Sequence, residues 1–177
     1  MKKIFLLLSV LSLGLAGCES NDDSNGFDSN ITVDGVVFTP AANGGTAPVV
    51  STAFAQGSGE NDDTRFFKLT KNGTNDSGFQ QIQIYINVPQ GQSNSSGSYT
   101  FDQTDTASGL TRGGAYAEGN VGFDFTSGKL IVTQMPANNY TLQFVDVKAK
   151  NAVSGEEKLI SGRIKGKFDI EQVYILD

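Results

Sequence analysis

Gln80-Gln81-Ile82-Gln83-Ile84-Tyr85-Ile86-Asn87-Val88 alternates apolar and polar side chains without a break. In an extended chain Ile82, Ile84, Ile86 and Val88 fall on one side, and Gln81, Gln83, Tyr85 and Asn87 on the other. That period belongs to a strand with one buried and one wet face, the form found in an antiparallel sheet over a core. The same period recurs downstream. Tyr140, Leu142 and Phe144 alternate with Thr141, Gln143 and Val145. Ile160, Ile164, Phe168 and Ile170 share a parity with Gly162 and Gly166, while Arg163, Lys165 and Lys167 take the other. The two glycines predict bends or the close approach of a facing group. Phe66 and Phe67 adjoin, so one ring faces the core and the other points away from it.

Turn chemistry separates the runs. Asp34-Gly35 between two apolar stretches is a two-residue hairpin signal. Asn43-Gly44-Gly45, Lys71-Asn72-Gly73, residues 91–97, Ser127-Gly128 and Ala137-Asn138-Asn139 predict further turns. Strands are also expected at 31–33, 36–39, 49–55, 65–71, 97–102, 115–118, 119–126, 129–134 and 172–176. No window carries a helical stripe of useful length. Short strands at this spacing, rich in Gly, Thr and Ser, predict an all-β fold. The expected architecture is an antiparallel β-sandwich of about nine or ten strands, with a β-barrel as the alternative.

Residue types narrow the chemistry. The 177 residues contain no histidine and one cysteine, Cys18. Disulfides within the chain, Ser-His-Asp and Cys-His nucleophilic catalysis and histidine-ligated metals are therefore excluded. An enzyme on this chain would have to work with carboxylates, lysine, tyrosine or a hydroxyl. The formal net charge of −6 makes nucleic acid and anionic headgroups poor partners.

The amino terminus carries an address. Lys2 and Lys3 precede a twelve-residue apolar-leaning run, 4–15, which ends in Ala16-Gly17-Cys18. The run is shorter than the roughly 20 residues of a spanning helix and has the layout of a secretory signal. Leu15-Ala16-Gly17-Cys18 resembles the lipobox of bacterial lipoproteins. The resemblance implies cleavage before Cys18, lipidation of its sulfur and acylation of the new amino terminus. Removing Lys2 and Lys3 would take the 13 basic residues to eleven against 19 acidic ones, deepening the net charge from −6 to −8. Residues 19–30, ESNDDSNGFDSN, are too polar to offset the entropy of ordering and read as a flexible acidic tether. Ser20-Asn21-Asp22-Asp23 resembles the acidic export signal of Bacteroidota surface lipoproteins. It implies display on the cell surface, from the outer leaflet of the outer membrane; the alternative is a spacer facing the periplasm. The expected division is a signal peptide at 1–17, lipidated cysteine and tether at 18–30, and one β-domain at 31–177.

A second resemblance spans most of 31–170. Ile31-Thr32-Val33-Asp34-Gly35-Val36-Val37-Phe38 opens the domain, followed by Gly97-Ser98-Tyr99-Thr100-Phe101, Gly128-Lys129-Leu130-Ile131-Val132, Tyr140-Thr141-Leu142-Gln143-Phe144 and the stretch 160–168. This order is similar to uncharacterised Bacteroidota lipoprotein domains. It implies a β-sandwich but carries no activity, so no catalytic residue is transferred.

Candidate sites remain. Glu60, Asn61, Asp62 and Asp63 gather oxygen donors of the kind that hard Ca²⁺ takes, and a weakly bound Ca²⁺ is the one cofactor to consider. The alternative is a solvated, turn-favouring loop. Asp102-Gln103-Thr104-Asp105 is a second oxygen-rich stretch, and Asn21, Asp23, Asn25 and Gly26 partly match an EF-hand loop without its closing glutamate. Asp105-Thr106-Ala107 resembles the Bacteroidota O-glycosylation sequon, which makes Thr106 a modification candidate. Tyr85, opposite the isoleucine face, is the candidate contact for a glycan or protein partner. Glu118 with Asp124, or Asp102 with Asp105, could form a carboxylate pair for hydrolysis only at glycosidase separation. The expected function is a non-catalytic, membrane-anchored binding or structural module. The alternatives are a barrel enclosing a small apolar ligand and a carboxylate hydrolase.

Overall fold

The computed structural model describes residues 26–41, 49–56, 63–72, 78–102, 112–171 and 174–175. These residues contain strands and no helix, as the alternation predicts. The strands are β1 (Asp28–Ser29), β2 (Thr32–Val33), β3 (Val36–Val37), β4 (Val50–Gln56), β5 (Asp63–Lys71), β6 (Gln80–Val88) and β7 (Gly97–Thr100), then β8 (Arg112–Glu118), β9 (Val121–Met135), β10 (Asn139–Lys150), β11 (Glu157–Lys167), β12 (Asp169–Ile170) and β13 (Tyr174–Ile175). All belong to one sheet, in which β12, β4, β5, β6, β8, β9, β10, β11, β2 and β3 lie side by side in that order.

The two layers expected of a sandwich arise here from one sheet curling over itself, which gives it a barrel-like form. β11 pairs antiparallel with β10 near one end of the order. One residue later the same chain has become β12, paired parallel with β4 at the other end, Asp169 against Ser51 and Ile170 against Thr52. β13 continues that parallel seam at Ala55 and Gln56. A strand that changes partners across the whole sheet draws its two ends together. The free edge of β11 is covered upstream by β1 and β2. From there the chain crosses to β5, where the Ala41 N–H donates to the Thr70 carbonyl at 3.1 Å.

Parity then fills the interior. Ile82, Ile84 and Ile86 of β6, Leu142 and Phe144 of β10 and Ile160 and Ile164 of β11 are all buried. The rings of Phe67, Tyr140 and Phe168 meet edge-to-face across the curl, with centroids 5.2 to 5.8 Å apart. They occupy space that an enclosed apolar ligand would need. Each fully buried large apolar side chain contributes about 1.5–3 kcal/mol.

The Asp34-Gly35 hairpin forms as expected, with φ of 50° and 77°, the positive pair of a type I′ turn. Ala137 and Asn138, both at φ 59°, turn the chain between β9 and β10. Ser127-Gly128 does not turn. β9 continues through it without reversing, and the sharp reversal between β8 and β9 lies at Gly119-Asn120. Gly128 instead marks a bend at φ 99°, beside Asp146 of β10 at φ 48°, where the β9–β10 register shifts. A Cβ on Gly128 would stand 2.5 Å from the Asp146 carbonyl oxygen, so the two strands kink together around a missing side chain. Ile170 also departs from expectation and is 63% exposed. The partner switch at Phe168 ends the inward parity of β11 before Ile170 is reached.

Polar contacts hold the seam. The Glu171 carboxylate accepts from the Ser51 hydroxyl at 2.8 Å and from the Lys68 ammonium. Burial alone would raise the Glu171 pKa, but those hydrogen bonds and the Lys68 charge outweigh it and hold it below the ordinary glutamate value. A depressed carboxylate contributes stability that is present above the ordinary value and lost as pH falls through the lowered one. Glu171→Gln should therefore lose about 1–2 kcal/mol at neutral pH. Urea unfolding at a series of pH values should show that gap closing below the ordinary glutamate range. A gap that persists in acid would contradict the ion-pair account.

Candidate functional site

The outer face of β6, β8 and β9 carries an open groove of about 390 Å³. Register explains its shape. Tyr85 of β6 lies opposite Gly113 of β8 and Phe66 of β5. With no side chain at Gly113, the Tyr85 ring leans across β8: a Cβ there would fall 2.1 Å from the phenolic oxygen. The next rung along the face is Gln83, Ala115 and Asp124. The small residues of Gly113-Gly114-Ala115 form the floor, the ring one wall, and Gln83 and Asp124 the polar flank.

Tyr85 and Phe66 are each 39% exposed, on the face opposite the isoleucines. Phe67 beside Phe66 is buried, so the two rings divide between faces as the alternation predicts. The polar flank is ordered along the strand. Gln83 donates from Nε2 to the Gln81 side-chain oxygen, and Gln81 donates from Nε2 to the Thr70 hydroxyl at 3.1 Å. An aromatic face beside an amide and a carboxylate can take the C–H face of a sugar on the ring and its hydroxyls on the polar groups.

Other sequence candidates fall elsewhere. Cys18, Glu60, Asn61, Asp62 and Thr106 lie outside the described residues, as do Gln103, Thr104 and Asp105. So do Asn21, Asp23 and Asn25 of the EF-hand-like spacing. Asp63 opens β5 with its side chain buried, and its Oδ2 accepts the Gly91 N–H at 3.0 Å. Asp102 stands exposed just after β7. Glu118 shares the inward parity of Tyr116 on β8, whereas Asp124 takes the outward parity of β9 beside Ala115, so these two acids point to opposite faces. Among the described residues no group of three or more Asp, Glu or Cys side chains is placed to hold a metal ion. No helix among them is long and apolar enough to cross a membrane.

The groove floor was not read from sequence. A Gly-Gly-Ala run in a strand is a signal for it, because such a strand has little side-chain volume to offer a neighbour. The chain matches no known family model, no curated protein and no solved structure.

Proposed function

We propose that this protein is a non-catalytic lipoprotein of the outer membrane, tethered through Cys18, whose domain binds a glycan in the Tyr85 groove. The lipobox-like 15–18 stretch and the acidic residues between it and β1 support the anchored location; residues 28–30, expected in the tether, instead pair with β11. Confinement at a membrane surface raises the effective concentration of the domain toward anything fixed there, so a modest groove suffices for capture. The observation that carries the binding reading is the Tyr85 ring leaning over Gly113 beside Gln83 and Asp124. The acidic surface favours neutral or amine-bearing sugars over anionic ones.

The test is a binding screen of the full-length protein in detergent against neutral, amine-bearing and anionic oligosaccharides. Tyr85→Ala should weaken the best ligand about tenfold, the scale of one lost aromatic contact. Its unfolding free energy should change by no more than about 0.5 kcal/mol, because the ring is outside the core. Unchanged binding by the variant, or capture of a peptide partner with no sugar bound, would contradict the glycan assignment.

A further inference from the structure

At one end of the curl, beyond Ile82 and Ile160, the inward-facing positions become polar. Tyr116 and Glu118 follow one another on the inward parity of β8, Gln80 lies opposite Glu118 on β6, and Lys158 precedes Ile160 on the inward parity of β11. The Asp34 turn closes the fourth side, its N–H donating to the Leu159 carbonyl at 2.8 Å and its Oδ1 accepting the Leu159 N–H at 2.8 Å. Between them is a cavity of about 150 Å³ with Val33, Val36 and Val37 as its apolar lip.

The charges do not balance. The Lys158 ammonium is 2.8 Å from Glu156, but 3.5 Å from Asp34 Oδ2 and 3.6 Å from Glu118 Oε2. The last two distances exceed an ordinary hydrogen bond. Glu118 Oε1 already accepts from Gln80 at 3.2 Å, and Asp34 Oδ1 is taken by the backbone. Three carboxylates thus face one cation, with Asp34 Oδ2 and Glu118 Oε2 directed at the cavity residues. Below them Tyr116 lines the same cavity, and its hydroxyl is buried with no hydrogen-bond partner among the described residues. A buried hydroxyl left unpaired is costly, and a donor drawn into the cavity beside Tyr116 would relieve that cost.

We propose that this mouth binds a primary alkyl-ammonium group, as carried by a linear diamine. The ammonium would donate to Asp34, Glu118 and the Tyr116 oxygen, and its methylenes would lie against the valine lip. The volume is several times the roughly 30 Å³ share of one water-sized group, so an ammonium enters with its first methylenes. An anion would meet two carboxylates before Lys158. Asp34 and Glu118 offer one free oxygen each, fewer than the roughly six to eight that Ca²⁺ takes. The hydrogen bond that Lys158 donates to Glu156, partly opposed by desolvation, keeps Lys158 protonated well above its usual range, so it acts as a fixed charge. Burial, then the Glu118 and Asp34 charges, pushes the Tyr116 phenol up, so it keeps its proton.

The experiment is calorimetric titration of the full-length protein with 1,4-diaminobutane, with CaCl₂ and sodium acetate as separate titrants. Saturable diamine binding is expected, weakened about fivefold by Tyr116→Phe, the loss of one hydrogen bond. Glu118→Gln should weaken it further, and Tyr85→Ala should leave it unchanged. Tyr116→Phe removes an unpaired buried group, so the ligand-free variant should melt at the same temperature as the parent or higher. Absence of diamine binding, equal binding of Ca²⁺ or acetate, or a Tyr116→Phe variant that binds normally or melts lower without ligand would each overturn the proposal.

Discussion

Phe168→Ala is expected to lower the unfolding free energy by about 3–5 kcal/mol, the range for deleting a fully buried phenylalanine. Phe168 is the residue between β11 and β12, where one strand leaves β10 and takes up β4. Its N–H donates to the Asn138 carbonyl at 2.9 Å, fixing the bend against the β9–β10 turn. Its ring meets Phe27 at 6.2 Å, Phe67 at 5.8 Å and Tyr140 at 5.3 Å, so rings from three separate parts of the chain converge on it. Alanine would leave a cavity bounded by three rings, which cannot collapse without moving the seam. Urea unfolding followed by far-ultraviolet circular dichroism measures the loss. Phe66→Ala, on the outward face, is the control and should cost far less. Similar losses for the two variants would mean that Phe168 does not hold the closure.

Gly162→Ala should lose on the order of 3 kcal/mol, combining backbone strain with overpacking. Gly162 has φ 107°, which an L side chain rarely adopts. A Cβ there would stand 2.4 Å from the Asn30 carbonyl oxygen, and backbone cannot rotate aside as a side chain can. Asn30 and Arg163 are locked together: the Asn30 N–H donates to the Arg163 carbonyl at 2.9 Å, and the Arg163 N–H donates to Asn30 Oδ1 at 2.7 Å. The damage should thus concentrate where residues 28–33 cover β11. Hydrogen exchange should show Asn30 and Arg163 losing protection while β5 and β6 retain theirs. Uniform loss across all strands, or none, would contradict that local account.

Both positions show what alternation along the chain can and cannot reveal. Period two divided Gln80–Val88, Phe66 from Phe67, and residues 140–145 correctly between inside and outside, because the face of a strand is a local property. It also marked Gly162 and Gly166 as places of close approach. Gly166 proves to be covered by Phe27, whose ring would come within 2.5 Å of a Cβ. Pairing is not local. The seam joins Asp169 to Ser51, and neither stretch carries a sign of the other, so a curled sheet and a sandwich look alike in sequence. Ser127-Gly128 has the composition of a turn. Asp146 on the opposing strand, eighteen positions beyond Gly128, accompanies the bend that forms there instead.

The candidate sites divide in the same manner. Tyr85 was legible because its parity sets it against three isoleucines. The groove was not, because it depends on Gly113 lying directly across from Tyr85. For the mouth, a usable sign was present in Lys158, a charge on the same parity as Ile160 and Ile164. A lysine at an inward position either ends the core or faces a cavity, and here the Tyr116 hydroxyl lies below it. Asp34 was read as a turn former, and it both forms the turn and supplies a carboxylate to the mouth.

The central proposal is a domain held at a membrane through Cys18 as its first mature residue. Intact-mass spectrometry of the protein extracted from membranes of its native host tests this most directly. The expected result is a chain beginning at Cys18 that carries a diacylglyceryl thioether and an amino-terminal acyl group. A chain that begins at Met1, or a free thiol at Cys18, would contradict it.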